Sequence, residues 1–321
     1  MKATLIEEIK KAYRRIHNFV RCTPLERFYS VHKNADVYLK LENYQLTNSF
    51  KIRGIANKLL SLPLKEKQNE VVTASTGNHG HAFAYASKFL GIPGIVFVPK
   101  TISRSKLRLL ERYQDNVKIV AYGQDCIEAE KMAKEYAEEH DLCYISPYND
   151  LEVIAGQGTI AIELINQLKH VDNVFIPIGG GGLISGIATY LKHINPDVKI
   201  IGCQPKNSAV MYESVKAGKI LNIESLPTIS DGTAGGIEKG SITFEICKEL
   251  VDEYVLLSEE EIVNAMKLLL TEYFMCVEGA GALSLAAYQR ISDTVKGNTV
   301  LIVSGAKIDF DRFIKQFNVL S

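Results

Sequence analysis

Val174-Phe175-Ile176-Pro177-Ile178-Gly179-Gly180-Gly181-Gly182-Leu183 is the stretch that decides the fold of this chain. The run before the glycines is short, rich in Val and Ile and has no polar face. It reads as a strand buried on both sides, as parallel sheets require. Glycines follow at once, and an apolar helical pattern opens at Leu183. Strand, tight turn and helix in that order is the repeating unit of an α/β protein. Similar runs recur at 37–39, 70–73, 94–98, 117–122, 199–203 and 299–303. Helical patterns lie between them. Residues 125–140 place Ile127, Ala129, Ala133, Tyr136 and Ala137 near one face. Ser258-Glu259-Glu260-Glu261 is a capping box ahead of Ile262, Ala265, Met266 and Leu269. The pattern predicts a mostly parallel sheet. Residues 69–148 alternate strand and helix compactly, and read as a small domain inserted into a larger one made of 1–68 and 149–321.

Composition narrows the function classes. At roughly 150 residues per domain, the 321 residues suggest about two domains. Hydrophobic residues make up 46% and charged residues 23%, an ordinary globular balance. Lys and Arg total 37, and so do Asp and Glu, which gives no overall field to attract nucleic acid or an anionic membrane. The start, MKATLIEEIKKAYRRI, is charged throughout, unlike a secretory signal. No stretch approaches the roughly 20 apolar residues of a spanning helix. Cysteines at 22, 126, 143, 203, 247 and 276 form no CxxC pair, so buried free thiols are expected rather than disulfides. The expected setting is the cytoplasm.

Three stretches can carry chemistry. In Thr47-Asn48-Ser49-Phe50-Lys51-Ile52-Arg53-Gly54 a polar turn gives way to a helix, which puts Lys51 near a helix N-terminus. The positive helix end and desolvation both favour a neutral, nucleophilic amine. Taken alone, Lys51 reads far more readily as a solvated surface lysine. Ser75-Thr76-Gly77-Asn78-His79-Gly80 follows the strand ending at Thr73 and presents backbone N–H groups to an anion, although a simple capped turn has the same composition. The tetraglycine lets backbone fold closely around a phosphate at a helix start. It lacks the Lys-Ser/Thr ending of a nucleotide P-loop and is not GxGxxG. An amine, an anion-binding turn and a phosphate cup together suit pyridoxal 5'-phosphate (PLP).

SFKIRG (49–54), STGNHG (75–80), AGQGT (155–159), the tetraglycine and IVSG (302–305) span nearly the whole chain. In that order the sequence resembles the fold-type II PLP enzymes, specifically the serine/threonine dehydratase and serine racemase branch. The resemblance implies two open-sheet α/β domains of the tryptophan synthase β type, with PLP in the cleft between them. It implies that Lys51 forms the Schiff base, that Phe50 packs beside the ring, and that Asn78 bonds the phenolic oxygen. Gly179, Gly180, Gly181, Gly182 and the N–H of Leu183 would hold the phosphate, and Ser304 would face the pyridine nitrogen. Ser75, Thr76, Gly77, Asn78 and His79 would hold the substrate carboxylate. The implied reaction is loss of water from L-serine or L-threonine, giving a 2-oxo acid and ammonia. A homodimer or homotetramer is the implied assembly.

The chain also departs from that branch. Racemases carry serine directly before the Gly-Asn of the asparagine loop, where this chain has Thr76. Elimination is therefore expected ahead of racemisation. The racemase-type cation site uses acidic residues, but Gln204-Pro205-Lys206-Asn207-Ser208-Ala209-Val210 has none, so no metal is expected there. The family SGGN reads Ser304-Gly305-Ala306-Lys307. Glu278 falls where the family has an acidic residue near the cofactor, and Asp231-Gly232 and Gly235-Gly236 resemble a substrate-proximal loop. His81 is expected to be packed or solvent-facing. The alternatives are a serine racemase, an ammonia-lyase for threo-3-hydroxyaspartate or another β-substituted amino acid, and, outside enzymes, an α/β nucleotide-binding regulatory protein.

Overall fold

A computed structural model describes residues 2–29, 35–309 and 313–314. Its strands, in chain order, are β1 (Leu25–Phe28), β2 (Ala35–Leu41), β3 (Val71–Ala74), β4 (Gly94–Val98), β5 (Val117–Ala121), β6 (Cys143–Tyr144), β7 (Asn173–Pro177), β8 (Lys199–Pro205), β9 (Glu253–Leu257) and β10 (Gly297–Val303). The helices are α1 (Lys2–Ile16), α2 (Lys51–Ser61), α3 (Leu64–Gln68), α4 (Asn78–Leu90), α5 (Arg104–Glu111), α6 (Cys126–Glu139), α7 (Leu151–Gln167), α8 (Gly182–Ile194), α9 (Val210–Ala217), α10 (Ile242–Leu250), α11 (Glu259–Tyr273) and α12 (Gly279–Ile291).

The strands make two open sheets, as expected. One has six strands in the order β1-β2-β10-β7-β8-β9, and the other has four in the order β5-β4-β3-β6. Every pairing is parallel except β1 with β2. Along β7 the pleat sends Val174 and Ile176 to one core and Phe175 to the other. Helices α1, α7, α8 and α10 cover the first face, and α11 and α12 cover the second. Both faces are dry, which explains the uninterrupted apolar runs. Asp125 caps α6 by accepting from Glu128 N, and Ser258 forms the expected capping box on α11. Three strands lie outside the sequence expectation: β1, β6 and β9. Each is at a sheet edge, where few alternating positions are buried. The cysteines are free, but only Cys203 and Cys247 are buried; Cys22, Cys126 and Cys276 are exposed. Among the described residues no helix is long and apolar enough to cross a membrane.

Helix α7 is the spine between the two sites of interest. A Cβ at Gly156 would stand 2.6 Å from Gly54 Cα on α2, and one at Gly186 on α8 would stand 2.5 Å from Gly158 N. The two glycines of AGQGT therefore bring the SFKIRG helix and the post-tetraglycine helix into backbone contact with the same partner. Beneath that contact lies a buried ionic cluster. The Arg53 guanidinium donates Nε to Glu42 Oε2 at 2.8 Å and Nη2 to Glu42 Oε1 at 2.8 Å. Its Nη1 donates to Glu163 Oε1 at 2.6 Å, and Lys40 Nζ donates to Glu163 Oε2 at 2.6 Å. Thr23 and Gln167 supply further acceptors to Lys40. Two cations face two carboxylates, so the cluster is neutral and fully hydrogen-bonded, the condition under which buried charge is tolerated.

Removing one member strands the others. Glu163→Ala is expected to lower unfolding stability by about 3 to 5 kcal/mol, read as a fall in the urea midpoint. A loss within the roughly 0–1 kcal/mol of an exposed pair would contradict this account.

Candidate active site

The segments carrying the sequence motifs converge at the C-terminal ends of β3, β7 and β10. Phe50 N donates to Ser304 O at 3.1 Å, Ala306 N donates to Asn48 O at 2.9 Å, and Ser49 bridges Gly305. These bonds staple the turn before α2 onto the end of β10. Asn48 turns the chain with φ 57°. Lys51 is the first residue of α2, and its Nζ donates to Pro147 O at 2.8 Å and lies 5.2 Å from the Phe50 ring centroid. Burial lowers its pKa from 10.5 to about 8, while Glu278 pulls in the other direction. The result is an amine substantially neutral in mild base, which is the form that attacks a carbonyl.

The STGNHG turn joins β3 to α4. Ser75, Thr76, Gly77 and Asn78 are half-buried at the cleft rim. Ser75 Oγ accepts from Gly77 N at 3.1 Å, and α4 starts at Asn78, so its first N–H groups have no partner within the helix. Asn78 Nδ2 donates to Glu278 Oε1 at 2.7 Å, and among the described residues Asn78 Oδ1 is buried without a hydrogen bond. The His79 side chain leaves the rim: its Nε2 lies 2.9 Å from Thr73 Oγ1, and burial followed by Lys51 pushes its pKa down to about 3. At position 79 only the main chain can face the cleft. His81 is packed against Tyr113, as expected.

The tetraglycine begins after β7 and ends inside the first turn of α8, where Leu183 is buried. A Cβ would stand 3.0 Å from Thr233 Cα at Gly179, 2.4 Å from Tyr148 Cγ at Gly180, 2.8 Å from Met211 Cε at Gly181 and 3.1 Å from Tyr148 Cα at Gly182. Gly181 also has φ 87°. Thr243 Oγ1 donates to Gly180 O at 2.6 Å and fixes the turn. The cradle admits no side chain, and at a helix N-terminus it suits a phosphate. Ser304, 2% exposed, stands at the end of β10 as a neutral hydroxyl. Buried Glu278 opens α12, and burial, then Asp231, pushes it up to about 7. An aldehyde-bearing, phosphorylated ring fits this set: a neutral amine, a glycine cradle and an amide Nδ2 with a second hydrogen to donate.

A scan against family models matches residues 16–305 to the family "Pyridoxal-phosphate dependent enzyme". The chain belongs to the PLP-dependent enzymes. It is 39% identical over 318 residues to the L-threonine ammonia-lyase of Thermotoga maritima, covering 97% of this chain and 78% of that protein. Among solved structures, threonine deaminase isoform 2 from Solanum lycopersicum superposes with TM-score 0.92 at 34% identity, covering 99% of this chain and 88% of that one. Maize serine racemase gives TM-score 0.90 at 32% identity, over 98% and 97% of the two chains.

Several residues of this PLP-enzyme cleft escaped the sequence reading. Pro147 and Tyr148 precede AGQGT, and the Tyr148 ring lies against the glycine cradle. Glu238 N donates to Tyr148 OH at 2.8 Å, and the Glu238 carboxylate takes bonds from Lys134 at 3.0 Å and Asn149 at 3.1 Å. A tyrosine, a proline and a loop glutamate carry no local signature, so only their folded neighbours mark them.

The lowered Lys51 pKa has a direct readout. Capture of Lys51 by added PLP, trapped with borohydride and mapped by mass spectrometry, is expected to rise with pH around a midpoint near 8. A midpoint at the ordinary lysine value of 10.5 would refute the desolvation argument.

Proposed function

We propose that the chain is a PLP-dependent ammonia-lyase that removes water from L-threonine and L-serine, releasing a 2-oxo acid and ammonia. The observation that carries this reading is Lys51, a partly buried amine with a lowered pKa. It sits in one cleft with Asn78, Ser304 and the glycine cradle, in a chain 39% identical to an L-threonine ammonia-lyase. We assign Gly179, Gly180, Gly181, Gly182 and the Leu183 N–H to the cofactor phosphate, Phe50 to the ring edge, Asn78 to the phenolic oxygen and Ser304 to the ring nitrogen. When bound, PLP supplies the electron sink for charge developing at the substrate Cα.

The chain's own groups do the remaining work. The N–H groups and hydroxyls of Ser75, Thr76, Gly77 and Asn78, with the His79 main chain, hold the substrate carboxylate and thereby orient Cα–H. Lys51 Nζ takes the α-proton, the Cβ–O bond breaks, and the hydroxyl leaves as water with a proton returned by the Lys51 ammonium. Hydrolysis of the enamine product then releases ammonia and the 2-oxo acid. Ser304 is a neutral donor or acceptor, so it leaves the ring nitrogen largely unprotonated. A neutral residue at that position would make the bound ring a weaker electron sink, which suits elimination of the β-substituent. Thr76 stands where the racemase branch has serine, and its β-branch stiffens the hydroxyl's rotamer, so racemisation is subordinate.

The domain division proposed for this enzyme is 1–68 with 149–321, and 69–148; the four-stranded sheet, built from β3 to β6, supports it. A cytoplasmic homodimer or homotetramer completes the reading; the free cysteines and balanced charge are in keeping with the cytoplasm.

Lys51→Ala is expected to abolish the visible absorbance of the bound cofactor and to reduce L-threonine turnover by at least about a hundredfold to ten-thousandfold, the range for losing a general base. Retained turnover sinks the assignment. In a chiral assay, pyruvate from L-serine is expected to form faster than D-serine; the reverse order would make the chain a racemase.

A further inference from the structure

The mechanism above leaves Lys307 without a role, although it stands where the family motif has asparagine. Its Nζ is buried and makes no hydrogen bond among the described residues. An isolated desolvated ammonium is costly unless a nearby charge offsets it. The neighbouring charge is Glu278, 4% exposed at the start of α12. Glu278 N donates to Gly305 O at 3.3 Å, and a Cβ on Gly305 would stand 2.4 Å from Glu278 Oε1. The chain after Ser304 therefore lies flat against this carboxyl, with Lys307 two residues beyond Gly305. On its other side the carboxyl receives Asn78 Nδ2 at 2.7 Å. Glu278 thus lies between the segment that carries Lys307 and the Asn78 carboxamide.

We propose that Lys307 is a positioning residue: its ammonium keeps Glu278 ionised, and ionised Glu278 holds the Asn78 carboxamide with its Nδ2 edge inward. The inference deepens the assignment of Asn78 made above and rests on it. An ionised carboxylate only accepts hydrogen bonds, so only the Nδ2 edge of the amide can face it. A protonated carboxyl can donate to Oδ1, which frees the amide to turn over and present the wrong edge to the cofactor oxygen.

The charges around the pair set the sign of the effect. Burial and then Asp231, on the turn at 231–233, push Glu278 up, while Lys307 and Asn78 pull it down, leaving it near 7. Burial, assisted by Lys106 on α5, pulls Lys307 down to about 7, against the pull of Glu278. His81 on α4 is held neutral by burial, then by Lys307 and Arg112. Removing the Lys307 cation takes away a group that favours the carboxylate, so Glu278 gains its proton at a higher pH.

The test uses the full chain as wild type, K307M, K307N and E278Q, with glutamate carboxyl-labelled for NMR. The Glu278 signal is assigned by its loss in E278Q. In K307M and K307N the Glu278 midpoint is expected to rise by about 1 to 3 pH units, and the acid limb of kcat/KM for L-threonine to rise with it. In the E278Q background K307M is expected to move the profile no further. An unmoved NMR midpoint overturns the proposal, and so does a moved midpoint with an unmoved acid limb. The NMR readout needs neither cofactor nor substrate. A wild-type chain that fails to turn over threonine therefore defeats the functional reading, while the midpoint still decides the role of Lys307.

Discussion

Arg53 is the constraint on which the site depends. It lies two residues after Lys51 on the first turn of α2, with no exposure, and its guanidinium spans Glu42 and Glu163 on two other elements. A planar fork with bidentate partners fixes direction as well as distance. The azimuth of α2 is thereby set, and with it the direction in which Lys51 leaves the helix. Buried ion clusters are rarely more stable than a well-packed apolar core of equal volume. Their return is geometric definition, and a reactive amine held against one carbonyl is where definition matters.

The second constraint is close approach. Because Gly54, Gly156, Gly158 and Gly186 let three helices touch backbone to backbone, the lysine helix α2 and the post-tetraglycine helix α8 are referenced to one rigid spine, α7. Neither helix can shift without displacing the other. In the proposed assignment the cofactor's two ends would be gripped by elements with a common datum, although Lys51 and the tetraglycine are far apart in sequence.

Electrostatics inside the cleft follow from burial more than from net charge, which is zero for the chain. Desolvation lowers Lys51 and raises Glu278, so both titrate within reach of neutrality. Ser304 adds no charge at all. Any field acting on a bound anion is local: N–H groups at the starts of α4 and α8, and the Lys51 amine.

Much of this was legible in the sequence because it is written locally. Buried parallel strands announce themselves as Val/Ile runs, the capping box at Ser258 has fixed spacing, and a lysine at a helix start, a polar glycine turn and a tetraglycine each carry their chemistry in consecutive residues. Edge strands β1, β6 and β9 were not legible, since half-solvated strands need no apolar run. Nor was the destination of the His79 side chain, which turned into the core rather than the cleft, or the contact of Tyr148 with the glycine cradle. The partner of Asn78 lies 200 residues away. The sequence by itself determined which groups are present and what reactions they can support, because those are properties of short segments. The tertiary structure alone decided which of them meet, how dry the meeting place is, and hence the protonation of Lys51, Glu278 and Lys307. Those properties depend on neighbours that only folding supplies.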